Sequence, residues 1–151
     1  MIIIQKYKTN FFRDISILGG PFFYIILLIF LLILNHSLFK KLFLALILIY
    51  AFSLTLRYFF FKERPVKEIY TNLIEKLDAS SFPSLHAGRA TALSLFAYFN
   101  LTFNLFIFIL ILTLIILYSR IYLKKHYFKD ILAGILIGIL SFYLTNHISI
   151  I

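Results

Sequence analysis

Four runs of this chain, residues 15–34, 42–61, 101–118 and 131–151, each approach the roughly 20 apolar residues that carry a helix across a bilayer. No soluble fold of 151 residues can hide that much apolar surface. Hydrophobic residues make up 62% of the chain, against about 45–50% in soluble domains. In hydrocarbon every backbone N–H and C=O must be paired within its own segment, so the runs must be helices. A fifth stretch, 84–99, is less apolar, carries Arg89 and reaches only about 24 Å as a helix. Its alanines, glycine and serines suit close helix packing, and it is counted as a span. The expected fold is therefore all-α: one membrane-embedded domain over residues 1–151, with about five transmembrane helices.

Local signals refine this picture. Gly19, Gly20 and Pro21 mark a kink or early break in the first span. Residues 1–14 mix Ile2, Ile3, Ile4, Tyr7, Phe11 and Phe12 with Lys6, Lys8 and Arg13, the pattern of an amphipathic segment lying in the interface. They do not read as a removable signal peptide. Gly134 and Gly138 form a G-x-x-x-G pair suited to close packing inside the bundle. No cysteine is present, which excludes disulfides and leaves the redox compartment open.

Charge narrows the function. The net +9 comes from 15 Lys+Arg against 6 Asp+Glu. In a membrane chain this points to anionic headgroups or a phosphate substrate, and away from nucleic acid. Charges near the bilayer are expensive, so each is a functional candidate. They gather in three places: Arg57 to Arg64-Pro65 after the second span, Pro83-Ser84-Leu85-His86 opening the third, and Ser119-Arg120 with His126 and Asp130 between the fourth and fifth. Counting spans puts all three on one face, together with the connections 62–83 and 119–129.

The residue types suggest phosphate chemistry. Arg57, Arg64 and Arg120 offer guanidinium forks for phosphate oxygens. Ser84 and the N–H groups that follow it open a helix, a natural seat for an anion. His86 and His126 supply a nucleophile and a proton donor near neutral pH. Asp130, four residues after His126, is expected to hold the His126 ring by one nitrogen and to cap the last helix. Lys62 and Arg89 are further candidates for headgroup or substrate contact. Neither a paired-carboxylate nor a Cys/His metal motif is present, so metal-free chemistry without a cofactor is expected.

Taken together, Arg57…Arg64-Pro65, Pro83-Ser84-Leu85-His86 and Ser119-Arg120…His126…Asp130 resemble the three-part signature of the type-2 phosphatidic-acid phosphatases, relatives of the vanadium haloperoxidases. The resemblance covers the chain from the second span onward. Arg57 stands where the family has lysine, and Leu85 where it has glycine. Family members typically have six spans; this compact form is similar to the lipid A 1-phosphatase branch. The resemblance implies that His126 attacks phosphorus to give a phosphohistidine while Asp130 fixes its ring. It implies that His86 serves the leaving oxygen, and that Arg57, Arg64, Ser84, Leu85, Ser119 and Arg120 hold the phosphate.

The expected substrate is thus a membrane lipid with a terminal phosphate: lipid A at its 1-position, phosphatidylglycerol phosphate or undecaprenyl pyrophosphate. Other readings are a phosphatase for a soluble ester, and a non-catalytic anionic-lipid binding or transport protein. The last would not need His86, His126 and Asp130 together. Lys6, Lys8, Arg13, Lys62, Lys67, Lys76, Lys124, Lys125 and Lys129 all lie on the motif face, which under the positive-inside rule favours the cytoplasm. The family resemblance implies the periplasm instead. We expect the outer face of the cytoplasmic membrane, because the same basic residues serve an anionic substrate.

Overall fold

A computed structural model describes residues 2–148, with side chains from residue 4 onward. Met1, the side chains of Ile2 and Ile3, and residues 149–151 at the end of the expected last span lie outside the described residues. Those described contain no strand: the chain runs α1 (Ile2–Ser16), a 3-10 turn (Ile17–Gly19), α2 (Pro21–Leu34), α3 (His36–Phe59), α4 (Leu73–Ala79), α5 (Leu85–Asn100), α6 (Phe103–Tyr122) and α7 (Phe128–Ile148).

The all-helical expectation holds, but the five spans are not matched one for one. Among the described residues α3, α6 and α7 are long and apolar enough to cross a membrane by themselves, and a fourth span arises if 4–19 and Pro21–Leu34 count as one bent segment. The bend is 43° and falls at Gly19-Gly20-Pro21, as the sequence suggests. Gly20 is extended there and Pro21 begins α2, where proline's missing N–H has no partner to lose. Helix α5 has only 16 residues, which is why it falls short as a free-standing span.

What α5 lacks in length it makes up in position, since it packs against α3, α6 and α7. Small residues allow the closest of these contacts. A Cβ on Gly134 would stand 2.4 Å from the Ser84 carbonyl oxygen, and one on Gly138 would stand 2.4 Å from that of Gly88. Gly88 faces back toward the Gly134 oxygen. The G-x-x-x-G pair is thus an intramolecular seam between α7 and α5. At its upper end the Ser84 N–H donates to the Asp130 carbonyl at 3.0 Å, which sets the first turns of the two helices side by side.

The remaining elements follow from local chemistry. Asn35 links α2 to α3, its side chain accepting from Leu38 N at 3.0 Å. Asn72 caps α4 in the same way through Glu75 N. Helix α1 lies on α6, with the Phe12 ring 5.4 Å from that of Tyr118 and 4.5 Å from that of Tyr122. Ile4, Tyr7 and Phe11 on α1 stay exposed beside Lys6 and Lys8, consistent with an interfacial position. Around the bundle, exposed side chains such as Phe30, Ile33, Phe103 and Leu136 form the apolar surface that lipid would cover.

The seam predicts an asymmetry. Gly138→Ala pushes a methyl group into the Gly88 backbone and should cost about 1–3 kcal/mol. Leu136→Ala, on an exposed site of the same helix, should stay within about 0.5 kcal/mol. Thermal unfolding in detergent compares them, and equal losses would contradict the seam.

Candidate active site

The four ends that meet at the site are the C-termini of α3 and α6 and the N-termini of α5 and α7. Helix α6 ends in a Schellman arrangement: Lys124 N donates to Ile121 O at 2.9 Å and Lys125 N to Arg120 O at 3.0 Å. Lys124 occupies the left-handed position, at φ 53°, where glycine is usual. His126 N then reaches Arg120 O at 3.2 Å, so the carbonyl of one candidate residue seats the backbone of another. The turn carries the His126 ring inward, where it is only 3% exposed.

The ring's contact differs from the sequence expectation. His126 Nδ1 lies 2.6 Å from the Ser81 carbonyl oxygen, not against Asp130. A carbonyl only accepts, so Nδ1 carries the proton and Nε2 keeps its lone pair. The spacing argument fails because α7 begins at Phe128: His126 precedes the helix, and four residues do not span one turn there. Asp130 in the first turn of α7 is fully buried and reaches back to accept from Tyr127 N at 2.8 Å. Its carboxylate also takes the Ser81 hydroxyl and pairs with Lys62 Nζ at 2.6 Å. It therefore caps the helix, as expected, but acts on His126 at one remove, by fixing the Ser81 segment.

Lys62 accordingly has a clear place. Its ammonium neutralises Asp130 and sits 4.4 Å from the centre of the Tyr127 ring, while its backbone oxygen accepts from Ser81 N at 2.7 Å. Lys62 and Asp130 together hold residue 81 from both sides.

The arginines divide their donors between protein and site. Arg57, 2% exposed, donates through Nη1 to the carbonyls of Leu77 (2.9 Å) and Asp78 (3.4 Å), and through Nη2 to Pro83 O at 3.0 Å. This expected phosphate ligand is foremost the anchor of the segment leading into α5. Arg64 donates to Glu68 and to Asp78 O at 2.6 Å; Glu68 also pairs with Lys125 Nζ at 2.6 Å, tying the 62–83 connection to the turn before His126. Arg120 reaches across to the Ser16 hydroxyl. Each of these three keeps a buried Nε–H with no protein acceptor. All three charges act on His126.

The serines are less equal than the motif suggests. Ser84, fully buried, accepts from Ala87 N at 3.4 Å as the cap of α5, and its hydroxyl proton stays free for an anion. Its own N–H is spent on Asp130 O, so the first-turn amides of Leu85 and His86 form the seat. Ser119 donates to Ile116 O at 2.6 Å in its own helix, which leaves it nothing to give a phosphate. Its expected role as a phosphate ligand is not supported by this geometry.

His86 lies half-buried in the first turn of α5, within electrostatic reach of Arg120, Arg89, His126 and Arg64. The ring is held on both flanks: Arg89 Nη2 stands 3.5 Å from Nδ1, and a Cβ on Gly19 would be 2.8 Å from Cδ2. Nε2 has no protein partner among the described contacts. Arg89 is itself buried, hydrogen-bonded to the Tyr50 hydroxyl, with its guanidinium 5.7 Å and 5.5 Å from the Tyr24 and Tyr50 ring centres. It supports His86 from below and is not positioned as a headgroup contact at the mouth.

The structure thus gathers His126, His86, Asp130, Arg64, Arg120, Ser84 and Leu85, with Arg57, Lys62 and Arg89 behind them. Sequence reasoning missed Ser81, Ser16, Gly19 and Glu68. Ser81 works mainly through a backbone oxygen, which no residue pattern reveals. Glu68, at an i,i+4 spacing from Arg64, carried a readable signal.

A family model described as the PAP2 superfamily matches residues 38–150. Compared by sequence with curated proteins, the chain matches none. Among solved structures it resembles LpxE of Aquifex aeolicus at 27% identity and a TM-score of 0.80, over 93% of this chain and 86% of that one. It also resembles a transmembrane PAP2-type phosphatidylglycerolphosphate phosphatase from Bacillus subtilis at 20% identity and a TM-score of 0.71, over 94% and 76%. The second likeness is one of fold alone.

Burial, then the charge of Arg120, pushes the His126 imidazole from 6.5 down to about 3; the Ser81 hydrogen bond opposes this, and Arg64 and Arg57 add to it. The folded ring therefore stays neutral where the unfolded one takes a proton. Below pH 6.5 the unfolded state binds more protons, so this group's contribution to stability falls as pH drops toward 3. Nitrogen NMR of labelled histidine at pH 6 should show His126 as the neutral Nδ1–H tautomer. An imidazolium signal there would contradict the site as described.

Proposed function

This chain belongs to the PAP2 superfamily, and from that premise we propose that it is a membrane lipid phosphatase working through a phosphohistidine on His126. The observation that carries the reading is the His126 ring itself: buried, with Nδ1–H held by the Ser81 carbonyl so that Nε2 keeps its lone pair within the field of Arg120, Arg64 and Arg57. Nothing in packing alone requires a neutral imidazole to be surrounded by cations. A phosphate ester supplies the anion that Arg57 and Arg120 lack, while Arg64 already shares Glu68.

The steps balance as follows. His126 Nε2 attacks phosphorus in line, and the bond from phosphorus to the leaving oxygen breaks. His86, protonated once the bound phosphate anion offsets the charges of Arg120, Arg89 and Arg64 around it, gives its Nε2 proton to that oxygen. Water then attacks the phosphohistidine, losing a proton to His86 as His126 departs neutral and inorganic phosphate is released. The free Nε–H groups of Arg57, Arg64 and Arg120, the Ser84 hydroxyl and the first amides of α5 stabilise the charge on the equatorial oxygens. Ser81, Asp130 and Lys62 keep the nucleophile in register.

The site lies at helix ends in a shell of exposed apolar side chains, which supports a substrate that stays in the bilayer over a soluble ester. In this reading the whole chain is one phosphatase domain, and α5 crosses the bilayer as a fifth span protected by its neighbours. The motif resemblance to the lipid A 1-phosphatase branch favours the lipid A 1-phosphate among the candidate lipids. We place the active face on the outer side of the cytoplasmic membrane.

Two experiments test this. Purified wild type should release phosphate from at least one of lipid A 1-phosphate, phosphatidylglycerol phosphate, undecaprenyl pyrophosphate and phosphatidic acid, resisting EDTA and yielding to vanadate. His126→Ala should lose essentially all turnover, and His86→Ala about 10²–10⁴-fold; an active His126→Ala would sink the assignment. For sidedness the natural chain has no cysteine, so Lys124→Cys gives a single reporter on an exposed residue. An impermeant thiol reagent should label it in intact cells, and labelling only after lysis would place the site in the cytoplasm.

A further inference from the structure

The bundle has an apolar opening that its packing does not require. Helix α2 packs on α3 and on the 3-10 turn, while α6 packs on α5, α1 and the same turn, so α2 and α6 share little direct contact below that turn. Between them lies a cavity of about 340 Å³ with almost wholly apolar walls, floored by Ala90, Leu93 and Ala97 of α5. Interiors normally close such gaps. Here alanines form part of the floor, and the one hydroxyl from α6, Thr113, is turned into hydrogen bonds with Ser94 at 2.8 Å and Ala90 O at 3.3 Å.

Its position relative to the site is specific. The upper end is lined by Leu18 and Ile116, which flank Gly19. A Cβ there would stand 2.9 Å from Ile116 Cγ2 and 2.8 Å from His86 Cδ2, so the slot and the candidate acid meet at this glycine. Along α5 the lining runs from Ala90 to Asn100, eleven residues whose ten rises span about 15 Å of helix. That is half of the roughly 30 Å hydrocarbon core, the depth of a single leaflet.

We propose that this slot between α2 and α6 holds one hydrocarbon chain of the lipid whose phosphate is cleaved beside His86 and His126. The proposal rests on the phosphatase reading and adds to it a recognition site for the chain. The headgroup stays at the ring of helix ends while the chain lies in its own leaflet, screened on one side by α5. Gly19 keeps the passage between them short, because any side chain there would collide with both ends. Selectivity for lipid esters over soluble ones then comes from chain burial, at a distance from the reacting atoms.

Leu112→Trp from the α6 wall and Ala97→Phe from the α5 floor fill the slot from different directions. Each should lower kcat/KM for a long-chain lipid phosphate about tenfold or more, the effect of losing two or three buried methylenes. Turnover of a short-chain, water-soluble phosphate ester should stay within about twofold, which also reports a folded enzyme. Parallel changes on both substrates, or none on either, would overturn the slot. Wild type mixed with a lipid phosphate bearing a diazirine at its chain tip should be crosslinked in α5 and α6 within the slot, and more strongly than by the same lipid without phosphate. Equal labelling by both would mean bulk bilayer lipid only, and would likewise overturn the proposal. An active His126→Ala enzyme would instead fail the phosphatase reading, whatever the slot variants did.

Discussion

The approach of α7 to α5 across Gly134, Gly138 and Gly88 is the contact on which the rest depends. Two helices can bring their backbones this close only where side chains are missing, and lipid offers no hydrophobic force that would substitute for such packing. The consequence is felt at the upper end. With Ser84 N bonded to Asp130 O, the opening turns of both helices are locked together. The residues that must cooperate, Ser84 and His86 on one helix and Asp130 with His126 on and before the other, inherit their spacing from this seam.

Around the seam the electrostatics are lopsided. One buried carboxylate, Asp130, is neutralised by Lys62 and two hydrogen bonds, while Arg57, Arg89 and Arg120 are buried without a carboxylate partner among the described contacts. Burying a cation is tolerable only when its donors are satisfied. Here backbone carbonyls of Leu77, Asp78 and Pro83, and hydroxyls of Ser16 and Tyr50, satisfy part of them. The fully buried arginine donors left over are all Nε–H groups. The same arrangement keeps His126 unprotonated, because a further positive charge would be opposed by Arg120, Arg64 and Arg57. A phosphate relieves the excess, so binding an anion and holding a neutral nucleophile are two sides of one electrostatic condition.

Much of this was legible in the chain. Hydropathy placed the long helices, Gly19-Gly20-Pro21 marked the bend, and the spacing of Arg57, Arg64, His86, Arg120, His126 and Asp130 placed them on one face. What the sequence concealed was division of labour. Ser81 orients His126 through a carbonyl oxygen, and every residue type owns one. Ser119 has a side chain suited to phosphate, yet the fold spends it on Ile116 O, and Arg57 gives both Nη groups to the segment before α5 and keeps only Nε–H for the site. The Asp130–His126 pairing looked secure at helical spacing and fails because the helix starts two residues after the histidine. Helix α5 read as a span by content, whereas its 16 residues depend on the neighbours that surround it.

That short helix also explains how one small bundle serves both ends of a lipid. Its first turn must lie level with the headgroups, because Ser84, Leu85 and His86 belong to the phosphate seat. Its remaining length then reaches downward only as far as Asn100, and a longer helix would gain nothing at the site. Alanines that allow α7 and α3 to close on α5 are interleaved with Ala90 and Ala97, which face the gap toward α2. Small residues therefore do opposite things on different sides of one helix, tightening the seam that sets the chemistry and loosening the wall beside it. A bulkier α5 would lose the first, and a fully packed one the second.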